Sequence, residues 1–363
     1  MKKNIMKKAL LYDPYIDVLG GGERHVLSIM EVLKEQGYDI DVAWDDPEIL
    51  EKLKTQLKLT LEGFNRVPNV FKRNHTKERN KLTRKYDIFL YVTDGSYFIS
   101  YAKKNFIFSM YPDRSLYKLS IVNWFKTRKY QVIANGDFTA ERIKDWMKLK
   151  THVLYPYIEQ NHIESSKKRS KKIISVGRIF KHLHAKRHDV IINAFIALKQ
   201  KYPQCGDFTL EILGGLKEED QDYLDELKAL AQDRKDISFH PNVSHEDLKK
   251  EYSTALFYWH AGGFGIDENM HPENVEHVGI TPLEAMAAGC ITFCYKAGGP
   301  RLYINDGING YLYSSIEELI DKTYDVYINP QSQSPMIKNA QTYIHQHFTY
   351  DVFKSSVKKI FKV

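Results

Sequence analysis

The sequence predicts an α/β chain of two tandem domains, each a parallel sheet with helices packed against it. Three observations predict it. The chain opens with an apolar strand "KALLYD" (8–13), a glycine loop, an amphipathic helix "ERHVLSIMEVLKEQG" (23–37) and a second strand "DIDVAW" (39–44). Strands joined through a helix lie parallel. From residue 172 onward a second strand–helix series begins. Between the two lies "PYIEQNHIESSKKRSKK" (156–172), which is polar and rich in lysine, the composition of a linker. A length of 363 residues suffices for two cores, and the 43% apolar and 27% charged fractions are those of an ordinary globular protein.

Each element follows from pattern. Apolar residues at 26, 27, 30 and 33 give the first helix one buried face. "YDIFLYV" (86–92) and "YQVIAN" (130–135) read as further strands, and "FTAERIKDWM" (138–147) as the helix after the second. Beyond the linker, "KIISVGRI", "FTLEILGG", "ISFHPNV", "LFYWHA" and "ITFCYK" read as strands. They alternate with helices over 186–203, 218–233, 244–255 and the segment ending at Gly289. The last stretch, "YIHQHFTYDVFKSSVKKIFKV" (343–363), reads as a terminal helix with Phe348, Phe353 and Phe361 available for packing.

The bulk numbers narrow the function. No window approaches the roughly twenty uninterrupted apolar residues that a bilayer-spanning helix needs. The start, "MKKNIMKKALLYDPY", is basic, but its apolar run is too short for a signal peptide. Three cysteines, Cys205, Cys290 and Cys294, make no disulfide framework, and a reduced, cytoplasmic setting is expected. A formal charge of +7, with basic clusters at 72–85, 124–129 and 165–172, is a solvated surface or one that attracts phosphates or an anionic membrane face.

Ligands of such sheets bind at the carboxyl ends of the strands. Gly20-Gly21-Gly22 lies at one such end, where a ligand can approach the backbone and a helix N-terminus favours an anion. It is not the G-x-G-x-x-G of a dinucleotide fold. Arg178 follows a strand and Lys186 precedes a helix, two cations suited to a diphosphate. His182, His184 and His188 form an H-x-H-x3-H string with cationic flanks and no cysteine, a poor metal site. Asp39-Ile40-Asp41 enters a strand and reads as structural. His260 and His277 flank a long loop near Glu276. In "EHVGITPLEAMAAGC" (276–290), Thr281-Pro282-Leu283-Glu284 reads as a capping box, which explains Glu284 but leaves Glu276 without a local role.

Taken in order, the GGGE loop, the strand–G-R…K loop, the Glu-x7-Glu segment ending in "LEAMAAG" and the following "GGP" resemble glycosyltransferase family 4 over nearly the whole chain. "YDPYIDVLGGGER", "EHVGITPLEAMAAG" and "GGPRLYINDGINGYL" look closest to the branch of mannosyltransferases that build lipid-linked oligosaccharides. The resemblance implies the GT-B fold: two Rossmann-like βαβ domains facing each other across a cleft. Residues 1–160 would form the acceptor-side domain, with the helix 343–363 packing back on it, and 161–342 the nucleotide-sugar domain.

The resemblance also implies roles. Gly21 and Gly22 would approach the donor phosphates and sugar, and Arg178 and Lys186 would hold the diphosphate. Glu276 would contact sugar hydroxyls and Glu284 the ribose. The amides of Gly279, Ile280 and Thr281 would meet sugar and phosphate, His260 would line the donor site, and the base would sit near Asn242 and Val243. Where relatives often carry a histidine near the reacting centre, this chain has Met110 in "FSMYPD". The Arg178 to Lys186 spacing is longer than usual.

The expected activity is a retaining, metal-independent hexosyl transfer from a nucleotide-diphosphate sugar to a glycan or lipid-linked acceptor. No cofactor or metal and no nucleic-acid partner are expected, and the protein would work in the cytoplasm, at an anionic membrane face. Two other classes stay open: another two-domain nucleotide-sugar enzyme, such as an epimerase or phosphorylase, and a non-catalytic basic module that binds lipid or nucleic acid. The second explains the charge but not the Glu-x7-Glu segment.

Overall fold

The computed structural model describes residues 6–72, 75–117, 120–159, 169–181 and 186–363. The chain divides into two compact units: Met1–Pro156 with Phe353–Val363, and Tyr157–Val352. The expected boundary at 160/161 lies outside the described residues.

The first unit is a parallel sheet of β1 (Lys7–Tyr12), β2 (Tyr38–Ala43), β3 (Phe64–Val67), β4 (Ile88–Val92), β5 (Lys104–Ser109), β6 (Tyr130–Ala134) and β7 (Thr151–Val153). Its order is β3-β2-β1-β4-β5-β6-β7. The central strand β4, "IFLYV", is buried at every position, so both faces of the sheet are covered there. Aromatic rings fill the layer above it: Phe71 stacks on Tyr12 at 4.4 Å and on Phe89 at 5.2 Å. Strands β3, β5 and β7 are additions to the sequence reading.

The chain ends in two helices, Gln333–His347 and Tyr350–Phe361, in place of one helix over 343–363. Phe348 lies between them, buried in the second unit against Tyr303 and Tyr343. The last segment is fixed to the first unit. Phe361 meets Phe106 at 4.4 Å, Phe353 meets His25 at 5.7 Å, Lys354 pairs with Glu35 at 2.6 Å, and Lys104 donates to the Phe361 carbonyl at 2.6 Å.

The second unit is a parallel sheet of β8 (Ser170–Val176), β9 (Thr209–Gly214), β10 (Ile237–Pro241), β11 (Ala255–His260), β12 (Ile291–Tyr295) and β13 (Tyr311–Tyr313), in the order β10-β9-β8-β11-β12-β13. Its core joins Ile173, Phe195, Leu198, Phe208, Leu210, Phe257, Trp259 and Phe293. Because β8 begins at Ser170, the last three residues of the expected linker are strand. Cys205, Cys290 and Cys294 are buried free thiols. Among the described residues, no helix is long and apolar enough to cross a membrane.

Candidate functional site

The strand order of the second unit reverses between β8 and β11, which pair directly. The crevice outside the carboxyl ends of two such strands is where open parallel sheets bind ligands. Gly177 and Arg178 follow β8, and His260 ends β11.

The backbone there is packed too closely for side chains. A Cβ on Gly214 would lie 1.7 Å from the Gly177 carbonyl oxygen, and one on Gly177 would lie 2.4 Å from Lys186 Cγ. Glycines at the two strand ends thus let Lys186 lie across the tip of β8. Its Nζ pairs with Glu276 Oε2, which also accepts from His260 Nε2 at 3.0 Å. The three side chains are 18%, 13% and 2% exposed, so the cluster is largely screened from water.

Burial alone would raise the Glu276 carboxyl, but the Lys186 charge and the His260 bond outweigh it and hold the group well below the ordinary range. Burial lowers the His260 imidazole, against the opposing pull of Glu276. Near neutral pH the cluster therefore holds a carboxylate and a neutral imidazole, whose Nε2–H donates to that carboxylate.

The loop that carries Glu276 is clamped from its other side. The Gly299 amide donates to the Glu276 carbonyl at 2.7 Å, and a Cβ on Gly298 would come within 2.0 Å of that oxygen. Glu268 fixes this glycine turn, accepting from the Gly298 amide at 2.6 Å and from Arg301 Nε at 2.8 Å.

The helix after Glu276 starts earlier than the capping box requires. It spans Ile280–Ala288, with Gly279 as N-cap at φ +79° and no side-chain cap. Thr281 is therefore inside the first turn, where its hydroxyl accepts from Tyr258 OH at 2.8 Å. Glu284 accepts from Tyr252 OH at 3.1 Å. Two fully buried tyrosines need acceptors for their hydroxyls and take the groups that a box would use. Gly279 makes the turn instead, because its left-handed backbone suits glycine and a Cβ would strike Tyr303 OH at 2.7 Å.

The other candidates are held by contacts of their own. Arg178 is exposed, its guanidinium 5.8 Å from the Phe180 ring. No described hydrogen bond or ion pair joins it to Glu276. Asn242, at φ +56°, clasps Leu216: its Oδ1 accepts from the Leu216 amide at 2.8 Å and its Nδ2 donates to the Leu216 carbonyl at 3.1 Å. Val243 packs on the core around Ile174, Val176 and Tyr252. Gly21 and Gly22 belong to the first unit and open the helix Gly21–Glu35, where Glu23 accepts from the Gly20 amide at 2.7 Å. A Cβ on Gly22 would meet Met110 Sδ at 2.6 Å, so Met110 occupies the space this glycine leaves.

The weaker sequence signals resolve as structure. Asp41 accepts from Tyr86 OH at 2.6 Å and is buried. His188 is buried near Ser175, and burial lowers it to about 4. His182 and His184 lie outside the described residues. Among the described residues no group of three or more His, Cys, Asp or Glu could hold a metal ion. The sequence reading missed Tyr252, Tyr258, Tyr303 and Glu268, which brace the site. The acidic "GIDEN" inside the long loop was the available signal for Glu268.

A family model described as Glycosyl transferases group 1 matches residues 158–343. The GDP-Man:Man(3)GlcNAc(2)-PP-Dol alpha-1,2-mannosyltransferase of Xenopus laevis is 28% identical over 210 residues, covering 53% of this chain and 40% of that protein. Its human counterpart is 25% identical over 253 residues, covering 64% and 49%. The chain spans about half or less of the length of these relatives. An uncharacterized glycosyltransferase of Haemophilus influenzae is 25% identical over 352 residues, covering 89% of this chain and 91% of that one. Among solved structures, Anabaena Alr3699/HepE in complex with UDP and glucose aligns with a TM-score of 0.69 at 18% identity, covering 98% and 99%. A glycosyltransferase from Rickettsia africae aligns with a TM-score of 0.74 at 14% identity, covering 98% of each. At these identities the likeness is one of fold.

Proposed function

This chain belongs to the glycosyl transferases group 1, and from that premise we propose that it is a retaining, metal-independent hexosyltransferase that uses a nucleotide-diphosphate sugar. The observation that carries the proposal is the Lys186–Glu276–His260 cluster, placed at the reversal of the second sheet beside the helix Ile280–Ala288. A diphosphate needs fixed positive charge, and a sugar needs an oriented acceptor for its hydroxyls. Lys186 and a carboxylate held in its charged form match those needs.

In the proposed reaction Lys186 exchanges its partner, leaving Glu276 for the diphosphate, and Arg178 adds a second cation. Glu276 then accepts from sugar hydroxyls, with His260 holding its orientation. The first-turn amides of the helix, which lack intrahelical acceptors, face the developing negative charge. The bond from the anomeric carbon to the phosphate oxygen breaks as the acceptor oxygen bonds on the same face. The acceptor's proton passes to a phosphate oxygen, and no protein nucleophile is needed. Stabilising the leaving group by charge and dipoles is the main catalytic term. Glu284, near Thr281 at the helix mouth, would bind the ribose, and the loop of Asn242 and Val243 would border the base.

The relatives' names give GDP-mannose as donor and a dolichol-linked glycan as acceptor, while a structural neighbour holds UDP and glucose. We accordingly place the sugar in the mannose or glucose class and the acceptor among glycans or lipid-linked glycans, at an anionic membrane face. The test is a melting-temperature screen against GDP-, UDP- and ADP-sugars, followed by nucleotide release with acceptor in excess EDTA. A rise with one nucleotide class and turnover that survives chelation support the reading. Turnover that is lost in EDTA and restored by a divalent ion overturns metal independence.

A further inference from the structure

In the first unit, the helix Ile121–Thr127 is turned inside out. Ile121, Val122, Trp124 and Phe125 are 87%, 62%, 51% and 49% exposed, whereas Thr127 is buried and bonds back to the Asn123 carbonyl at 2.8 Å. The helix starts cleanly, with the Ser120 hydroxyl accepting from the Asn123 amide at 3.1 Å. Both bonds lie within the helix and its cap; they define the helix, and its apolar side chains are the ones exposed. Four of the twelve large apolar side chains exposed among the described residues fall within these five positions. Such concentration marks an interaction surface, since scattered exposed apolar residues are the ordinary case.

We propose that this helix inserts its apolar face into the anionic leaflet of a bilayer. Charge selects this occupant. Lys126 lies in the last turn, and Arg128 and Lys129 follow it, both exposed. The Arg128 guanidinium lies over the Phe125 ring at 4.1 Å, a basic group beside an apolar ring. Aromatic side chains bordered by cations suit the boundary between acyl chains and anionic headgroups, where the rings sit at headgroup depth and the cations meet phosphate. Seven residues form a helix too short to span the hydrocarbon, so it lies in the interface. The inference rests on the membrane-face reading for its biological purpose, but the binding itself is measurable without donor or acceptor.

The test is co-sedimentation of the full chain with phosphatidylcholine vesicles, with and without phosphatidylglycerol, at low and high salt. Trp124 emission is followed with brominated lipid. Wild-type protein should bind the anionic vesicles and show Trp124 quenching. Trp124→Ser with Phe125→Ser should lose about tenfold or more in partitioning, including the part that survives high salt, with an unchanged melting temperature and donor-induced shift. Lys126→Gln, Arg128→Gln and Lys129→Gln together should remove the salt-dependent part. If the apolar variant binds as wild type does, the insertion is wrong. If binding instead falls only when basic residues of 72–85 are neutralised, the membrane-face reading stands without this helix. If no vesicles are bound at low salt, both fall. If the apolar variant instead converts an oligomer to monomer with no vesicle effect, the face is a contact between copies, and the proposal is overturned.

Discussion

Lys186 Nζ and Glu276 Oε2 form an ion pair across the end of β8, and both side chains are largely screened from water. The sequence suggests two independent donor contacts, one cationic and one acidic. The structure makes them partners, which changes what their substitution does. Glu276→Ala leaves an ammonium with little solvent and a histidine without its acceptor. Breaking one side of a buried pair costs about 3–5 kcal/mol, so Glu276→Ala and Lys186→Ala should each lower the denaturation midpoint. The double variant should lose less than the sum of the two. Denaturant unfolding of the four proteins measures this. Transfer assayed on whatever remains folded should fall on the order of a hundredfold for Glu276→Gln.

Glu284 separates from its neighbour in the opposite way. Because Gly279 caps the helix, Glu284→Ala removes no cap. It removes an acceptor from Tyr252 OH, whose other described acceptor, the Thr281 carbonyl, is 3.4 Å away. The stability loss should be on the order of 1 kcal/mol, that of one hydrogen bond taken from a buried hydroxyl. Tyr252→Phe removes the hydroxyl itself and isolates that part. If Glu284 binds the ribose, Glu284→Ala raises donor KM while Tyr252→Phe leaves it near wild type. Equal donor KM in both variants makes Glu284 purely structural.

Gly214 and Gly298 probe the backbone that aims the site. Gly214→Ala puts a methyl 1.7 Å from the Gly177 carbonyl oxygen, so the segment carrying Gly177 and Arg178 must move. Gly298→Ala presses on the Glu276 carbonyl at 2.0 Å and strains a backbone at φ +64°. Each clash is with backbone, not with a flexible side-chain end. Both variants should lose more than about 1 kcal/mol of stability and bind donor weakly, whereas Gly215→Ala, with open space around it, should behave as wild type. Melting temperatures with and without nucleotide check the three together.

The two-sheet plan was legible because buried parallel strands such as "IFLYV" and "LFYWHA" are continuous apolar runs, and glycines punctuate their ends. Strand β3, "FNRV", was not, because an edge strand with two exposed polar residues has the composition of a loop. Lysine and asparagine at the start of β5 hid it in the same way, although four of its six residues are apolar or serine in the core. At the site, spacing brought Glu276 and Glu284 into one loop and helix, but their partners come from elsewhere in the chain. Nothing near Thr281 or Glu284 in sequence announces Tyr258 and Tyr252, and those two hydroxyls moved the helix start. Lys186 is 90 residues from Glu276, a separation that no local pattern bridges.

Asp13 gives the fold a pH dependence that its composition does not show. It follows β1 in the first unit and is 1% exposed. Its Oδ1 accepts from the Tyr15 amide at 2.9 Å, while its Oδ2 is buried with no hydrogen-bond partner among the described residues. Burial pushes the carboxyl up to about 8, opposed by the Tyr15 amide and reinforced by the charges of Glu23 and Asp17. The folded chain therefore holds this proton more tightly than the unfolded chain does. For such a group, stability is fully present below the unfolded value and is lost as pH rises through the folded one. Asp13 should thus weaken the fold progressively from about pH 4 to about pH 8, with the loss complete above that. Asp13→Asn keeps the shape and the acceptor for Tyr15 but cannot ionise. Melting temperatures measured across this range should show the wild type declining relative to the variant as pH rises, with the curves closest at the acid end. A constant offset between the two at every pH would mean that Asp13 is ionised in the folded chain throughout, with an unseen partner for its second oxygen.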